Sequence, residues 1–227
     1  VSAVLSVGTT GADPSVSGLI KIKIDGVPEP VKKGGVALYR FRNQKALELV
    51  VSAPISPTGT YSLPYFREGD YLIAAIPDTL LYPYAAKTYK GGEGKWIFSD
   101  TVNANCNSIN LVSINVINLP PITGKGHIHG LVKNLTGGKT FKVGDPIPDV
   151  DVSIGKKPGG IVSTGTTKIT GEYKFDHLEE GNYDVFVDMP GLGMAHTHDI
   201  IITSADTLFE DANFWVDSTK TIDTAGV

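Results

Sequence analysis

The residues of this chain whose types and spacing most readily do chemistry are two histidine pairs, His127-Ile-His129 and His196-Thr-His198. On a β-strand the side chains at i and i+2 leave the same face, so each pair offers two imidazoles to one transition metal at about 2.0–2.1 Å. A plainer reading makes His127 and His129 the wet face of a first strand, with Ile128 and Val132 on the core side, and nothing in the sequence brings the two pairs together. Met194 adds only a thioether in a Pro-Gly-rich turn, where methionine is usually filler. A second group is aromatic: Tyr82, Tyr84, Tyr89, Trp96 and Phe98 crowd between two expected strands, near Pro83 and Gly91-Gly92. Exposed, these rings would stack on the apolar faces of sugars; packed beneath a long crossover loop, they would be core.

Catalytic signatures are missing. There is no GxSxG and no HExxH, and Gly91 to Trp96 fails as a P-loop because Ser or Thr should follow Lys95 and a helix should follow both. Asp149 and Asp151 alternate with Val150 and Val152, as an ordinary solvent face does, and Glu179-Glu180 reads as a turn. The chain is therefore expected not to be an enzyme, and to need no cofactor beyond a transition metal at the histidines.

The elements that must position these groups are strands. Among 227 residues, 26 glycines and 14 prolines cut the chain into pieces too short for ordinary helices. Within the pieces the period is two: Ile20, Ile22 and Ile24 alternate with Lys21, Lys23 and Asp25, so one face is expected buried and the other wet. Asn43 to Val51 reads as one short helical turn. Apolar residues at 41% are enough for a core, and a net charge of −4 with scattered Lys and Arg leaves no basic footprint for nucleic acid. No apolar run approaches the length of a membrane helix, so no membrane insertion is expected. One cysteine, Cys106, allows no internal disulfide. The start at Val1 reads as a processed chain or an excised fragment.

An internal repeat organises the whole. Residues 56 to 76 align without a gap onto 168 to 188, matching Thr58, Gly59, Tyr61, Glu68, Gly69 and Tyr71 to Thr170, Gly171, Tyr173, Glu180, Gly181 and Tyr183. Upstream, GGVALYRF matches PDVDVSIG; downstream, NSINLVSINVIN and EDANFWVDS each close a copy. The division expected is 1–13 as a leader or the end of a preceding module, 14–120 as the first repeat, 124–218 as the second and 219–227 as a tail. Pro120-Pro121 marks the joint, with few contacts crossing it, because proline denies a ladder its donors and favours extended backbone. Each copy reads strand, Thr-Gly turn, strand, Gly-x-Tyr, strand, proline, with the second tyrosine placed to return its hydroxyl to the backbone as a tyrosine corner does. The expected fold is all-β, two tandem antiparallel Greek-key β-sandwich domains.

This pattern resembles the prealbumin-like Greek-key modules known as carboxypeptidase regulatory-like domains and as the B repeats of gram-positive adhesins, which Gly171 to Gly191 follows closely. The stretch LYPYAAKTYKGGEGKWIFSDTV and the ending NFWVDST are similar to tandem modules in secreted Bacteroidota proteins of the type IX secretion context. Two family features are not matched. Ser56-Pro57-Thr58 and Lys168-Ile169-Thr170 lack the carboxylates of a calcium turn, and Tyr71–Pro77 and Tyr183–Pro190 lack the Glu of a Lys-to-Asn cross-link. The resemblance also implies O-glycosylation at Asp-Ser/Thr tripeptides, on Thr79, Thr101, Thr207, Ser218 and Thr224, although Asp-Thr equally suits turns. Asn134-Leu-Thr136 is an N-glycan sequon where the host attaches them. The reading that results is a non-catalytic spacer or adhesive stalk of a secreted or cell-surface bacterial glycoprotein. Its partners would be other domains of a longer chain, surface glycans or neighbouring copies. A carbohydrate-binding module is the alternative, and a metal-binding accessory domain the third.

Overall fold

Val16, Ile20 and Ile22 are buried while Lys21 and Lys23 face water, and this alternation makes Ser15–Ile24 the first strand, β1. A computed structural model describes residues 14–42, 46–64, 67–105, 109–137, 142–189 and 198–217. After β1 the first repeat carries β2 (Val27–Pro30), β3 (Gly34–Arg42), β4 (Ala46–Pro54), β5 (Thr60–Leu63), β6 (Gly69–Pro77), β7 (Thr88–Tyr89), β8 (Val102–Ala104), β9 (Ile109–Leu111) and β10 (Ile114–Val116). The second carries β11 (Gly126–Asn134), β12 (Asp151–Lys157), β13 (Ile161–Thr166), β14 (Glu172–Leu178), β15 (Gly181–Val187), β16 (His198–Ile202), β17 (Leu208–Phe209) and β18 (Phe214–Val216). A 3-10 turn spans Trp96–Phe98. No helix among the described residues is long and apolar enough to cross a membrane.

The fold is all-β. In the first repeat one sheet runs β10-β1-β2, with β5 and β9 also on β1, and the other runs β4-β3-β6-β7, with β8 on β6. In the second, β14-β11-β17 with β18 on β11 faces β13-β12-β15-β16. Segments matched in sequence hold matched places: β3 lies beside β6 as β12 lies beside β15. Most ladders are antiparallel, but β9 and β10 join β1, and β17 and β18 join β11, in parallel. Each repeat thus closes by returning its last strands to the side of its first, by way of the opposite sheet and without a crossover helix. The helical turn read over Asn43 to Val51 is corrected from residue 46 onward: Ala46–Pro54 is extended and paired with β3, whose ladder satisfies backbone groups that a single helical turn would leave open.

Two separate apolar clusters form between the facing sheets. Val16, Ile20, Leu38, Tyr71, Ile73 and Ile114 belong to one; Ile128, Val132, Ile154, Val185, Ile200 and Phe214 belong to the other. The repeats agree down to backbone contacts. Gly59 and Gly171 turn their hairpins at φ of 82° and 74°, and their carbonyls accept the N–H groups of Ile20 and Val132 at 2.8 and 2.9 Å. The tyrosine corners form as expected, with Tyr71 and Tyr183 donating to the carbonyls of Arg67 and Glu179.

A second pair of tyrosines locks the closing strands. Tyr61 donates to the Val112 carbonyl at 2.6 Å, and Tyr173 donates to that of Ala212. Opposite them stand Gly18 and Gly130, where a Cβ would lie 1.9 Å from the Val112 oxygen and 2.1 Å from the Ala212 oxygen. Removing the hydroxyl leaves a buried carbonyl without that donor. Tyr61→Phe is therefore expected to cost about 1–3 kcal/mol, read from the urea midpoint of the full chain.

Candidate functional site

In the sheet β4-β3-β6-β7 the two central strands, β3 and β6, are buried on both faces. Leu38, Tyr71 and Ile73 point into the first core, while Ala37, Tyr39, Leu72, Ala74 and Tyr89 form a second buried patch on the outer side, with Trp96 packed against it. The strand reading of one dry and one wet face is corrected here. A second sandwich covers the outer face: β15 turns Tyr183, Val185 and Val187 into its own core, and sets Asp184 and Phe186, with Asp188 just past its end, toward the first repeat.

Charge sits at the centre of this seam. Lys87 Nζ lies 2.8 Å from Asp188 Oδ2 and 2.8 Å from Asp151 Oδ2, with side-chain exposures of 13%, 3% and 44%. Tyr89 donates its hydroxyl to Asp188 at 3.0 Å. Burial alone would push the Lys87 ammonium down; Asp188, then Tyr89 and Asp151, more than offset it and hold its pKa well above the ordinary lysine value. Burial likewise raises the Tyr89 phenol. At the edge, Lys95 Nζ pairs with Asp184 at 3.2 Å and lies 3.8 Å from the centre of the Phe186 ring. Ile161 reaches across to Gly94 and fills the space a side chain there would need.

The expected open joint is therefore corrected. Ala86 donates to the Ile117 carbonyl, Ile117 to Thr88 Oγ1 and Leu119 to the Tyr84 carbonyl, while Gly124 donates to the His177 carbonyl. These bonds anchor the chain to its own repeat on either side of Pro120-Pro121, and the repeats meet through side chains such as Lys87, Tyr89 and Lys95 on Asp151, Asp184 and Asp188.

Most of the aromatic segment goes to packing. Tyr82 is buried, with its hydroxyl accepting the Lys32 N–H at 2.8 Å, and Tyr89 lies wholly inside the seam. Trp96 is half-buried, its Nε1 enclosed with no hydrogen-bond partner. Buried rings present no face to a sugar, so Tyr82 and Tyr89 leave the stacking platform; Tyr84 and Phe98 remain, 50% and 62% exposed. With Leu80 and Leu81, Tyr84 gives the turn after β6 an apolar surface.

The histidines divide differently. His196 lies outside the described residues, as does Met194. His198, on β16, has Nε2 at 2.8 Å from the Asn213 carbonyl oxygen, with its ring edge-on to Phe214. His127 and His129 stay together on β11 and gain a third group that the sequence reading missed, Asp176 on β14. Asp176 Oδ1 is 2.9 Å from His127 Nδ1 and 3.8 Å from His129 Nε2. A bulge sets this geometry: Gly126 pairs with Leu178 but Ile128 with Phe175, and His177 takes up the extra residue at φ 61°. Lys174 holds the other oxygen of Asp176 at 2.6 Å. Its hydrogen bond, then that from His127, keeps the carboxyl at about 2, below the usual carboxylate range. Only a histidine-carboxylate spacing across two strands would have shown this, and the bulge hides the register.

Of the glycan candidates, Thr79 and Thr101 are exposed and Thr207 is half-buried, while Ser218 and Thr224 lie outside the described residues. Asp78 accepts the N–H groups of Leu80 and Leu81, the turn role open to Asp-Thr. Asn134 is 4% exposed, its amide donating to the Asp145 carbonyl, which removes it as an acceptor on the folded chain.

The second repeat matches the carboxypeptidase regulatory-like domain over residues 128–214, in line with the resemblance read around Gly171. Among curated proteins the chain is similar to Colossin-A of Dictyostelium discoideum, 29% identical over 191 residues, covering 82% of this chain and 2% of that protein. It is also similar to a fibrinogen-binding protein of Staphylococcus epidermidis, 29% identical over 184 residues, covering 76% of this chain and 17% of the relative. The chain thus spans a small part of the length of either. Among solved structures, the shaft pilin SpaA of Lactobacillus rhamnosus GG aligns at 10% identity and a TM-score of 0.32, covering 89% of this chain and 97% of that one. A streptococcal ancillary pilin aligns at 12% and 0.34, covering 90% and 63%.

Proposed function

We propose that this chain is a non-catalytic structural and adhesive module, a stiff two-repeat spacer within a secreted or cell-surface protein. The observation that carries the reading is the seam: two sandwiches with separate cores bury the outer face of one sheet each against the other, around Lys87 and Asp188. Such a contact does mechanical work, since it fixes the angle between modules. The similarity to a fibrinogen-binding protein supports an extracellular adhesive setting. One apolar surface open to a partner is the turn bearing Leu80, Leu81 and Tyr84.

Small-angle scattering of the full chain tests the stiffness. The expected result is a single particle shape whose radius of gyration is the same at low and high salt, because the central ion pair is too buried to be screened. A broad spread of separations between the repeats would defeat the spacer reading. The carbohydrate reading rests on Tyr84 and Phe98; a glycan array left blank by the full chain would remove it.

A further inference from the structure

We propose that His127, His129 and Asp176 form a binding site for one divalent transition metal ion of the zinc or copper class, which staples β11 to β14 beside the linker. The three donor atoms lie within 4.8 Å of one another. Ligands around one tetrahedral ion at about 2.0–2.1 Å stand roughly 3.4 Å apart. The separations of 2.9 and 3.8 Å from Asp176 Oδ1 to the two imidazoles bracket that value. The group closes around an ion by small side-chain rotations, without moving either strand.

A second, independent observation points to a ligand. His129 Nε2 is enclosed and has no hydrogen-bond partner. Its nearest carboxylate oxygen, at 3.8 Å, is too far for a hydrogen bond and well placed for a fellow ligand. A buried imidazole nitrogen left open beside a carboxylate that already serves a second imidazole is the arrangement a metal ion completes.

The donor chemistry selects the class of ion. Two imidazole nitrogens and one carboxylate oxygen suit zinc or copper, whereas calcium wants six to eight oxygens. Lys174 strengthens the selection: its ammonium occupies Asp176 Oδ2 at 2.6 Å, fixes the carboxylate with Oδ1 toward the rings, and denies a hard cation bidentate binding. The location gives the ion a structural task. The bulge residue His177 accepts the Gly124 N–H at 2.7 Å, so the strand that supplies Asp176 also anchors the chain as it enters the second repeat.

Zinc chloride titrated into the full chain by calorimetry, with excess calcium present, is the test. The expected result is one ion per chain, at least about 10-fold weaker binding for His129→Ala and for Asp176→Asn, and unchanged binding for His198→Ala. Copper(II) on the full chain should show electron-spin-resonance coupling to two nitrogens, falling to one in His129→Ala. Circular dichroism in chelator, expected to superpose for wild type and variants, ensures that any loss is not unfolding. The proposal is overturned if the wild type takes up no zinc, if His129→Ala and Asp176→Asn bind as the wild type does, or if copper shows no nitrogen coupling.

Discussion

Lys87→Met is expected to cost about 3–5 kcal/mol, because it strips the ammonium from a carboxylate that stays buried. Asp188 is 3% exposed; without Lys87 its charge would keep only the Tyr89 hydroxyl, and its Oδ1 already has no hydrogen-bond partner. The alternative open to the variant is to part the seam and let water reach Asp188, at the expense of exposing Tyr39, Leu72 and Ala74. Each repeat holds one of the chain's 2 tryptophans, Trp96 against the seam and Trp215 on β18, so urea unfolding followed by fluorescence reports both. Lys87→Met together with Asp188→Leu is expected to recover most of the loss, since the pair is costly to break and cheap to replace. A single variant that unfolds at the wild-type midpoint, with unchanged scattering, would show that the ion pair does not hold the repeats together.

Gly130→Ala is expected to cost about 3 kcal/mol, at the upper end for overpacking, because the atom in the way is backbone and cannot rotate aside. The added methyl would fall 2.1 Å from the Ala212 oxygen and 2.6 Å from the Tyr173 hydroxyl, so it strikes both partners of the bond that closes the second sandwich. Gly160→Ala is the control: nothing lies within 4 Å of its Cβ position, and the change should be neutral or slightly stabilising. Equal midpoints for the two variants would mean that the closing strand yields freely. The Trp215 signal should shift more than that of Trp96, because β18 pairs with β11 next to the substituted residue.

Turns, tyrosine corners and inward alternation were legible because they are local: Thr-Gly and Gly-x-Tyr carry their conformational meaning within a few residues. The seam was less so, but it left a trace. Tyr71 to Ala75 and Val185 to Val187 are buried without interruption, and both are apolar runs that a half-wet strand does not need. A run such as Tyr71 to Ala75, far too short to cross a membrane, needs cover on two sides of its sheet instead. Tyr89 and Trp96 were seen as a cluster, but their burial depends on a second sandwich that no local pattern announces. His127 and His129 were paired correctly by strand spacing. Asp176 was not, because a bulge at His177 shifts the register by one residue and no sequence period records a bulge.

The seam uses the same sheet from each copy, β3-β6 from one and β12-β15 from the other, and in doing so it consumes both. A face that has met its counterpart has nothing left to offer a third repeat. Contacts of this kind close upon themselves, whereas those joining a front to a back can continue without end. An array extended with more copies of this unit would therefore grow by couples, and its joints would alternate in kind, one sealed and the next loose. Its bending would be set by how many couples it holds, and a single inserted or deleted repeat would leave one sheet bare.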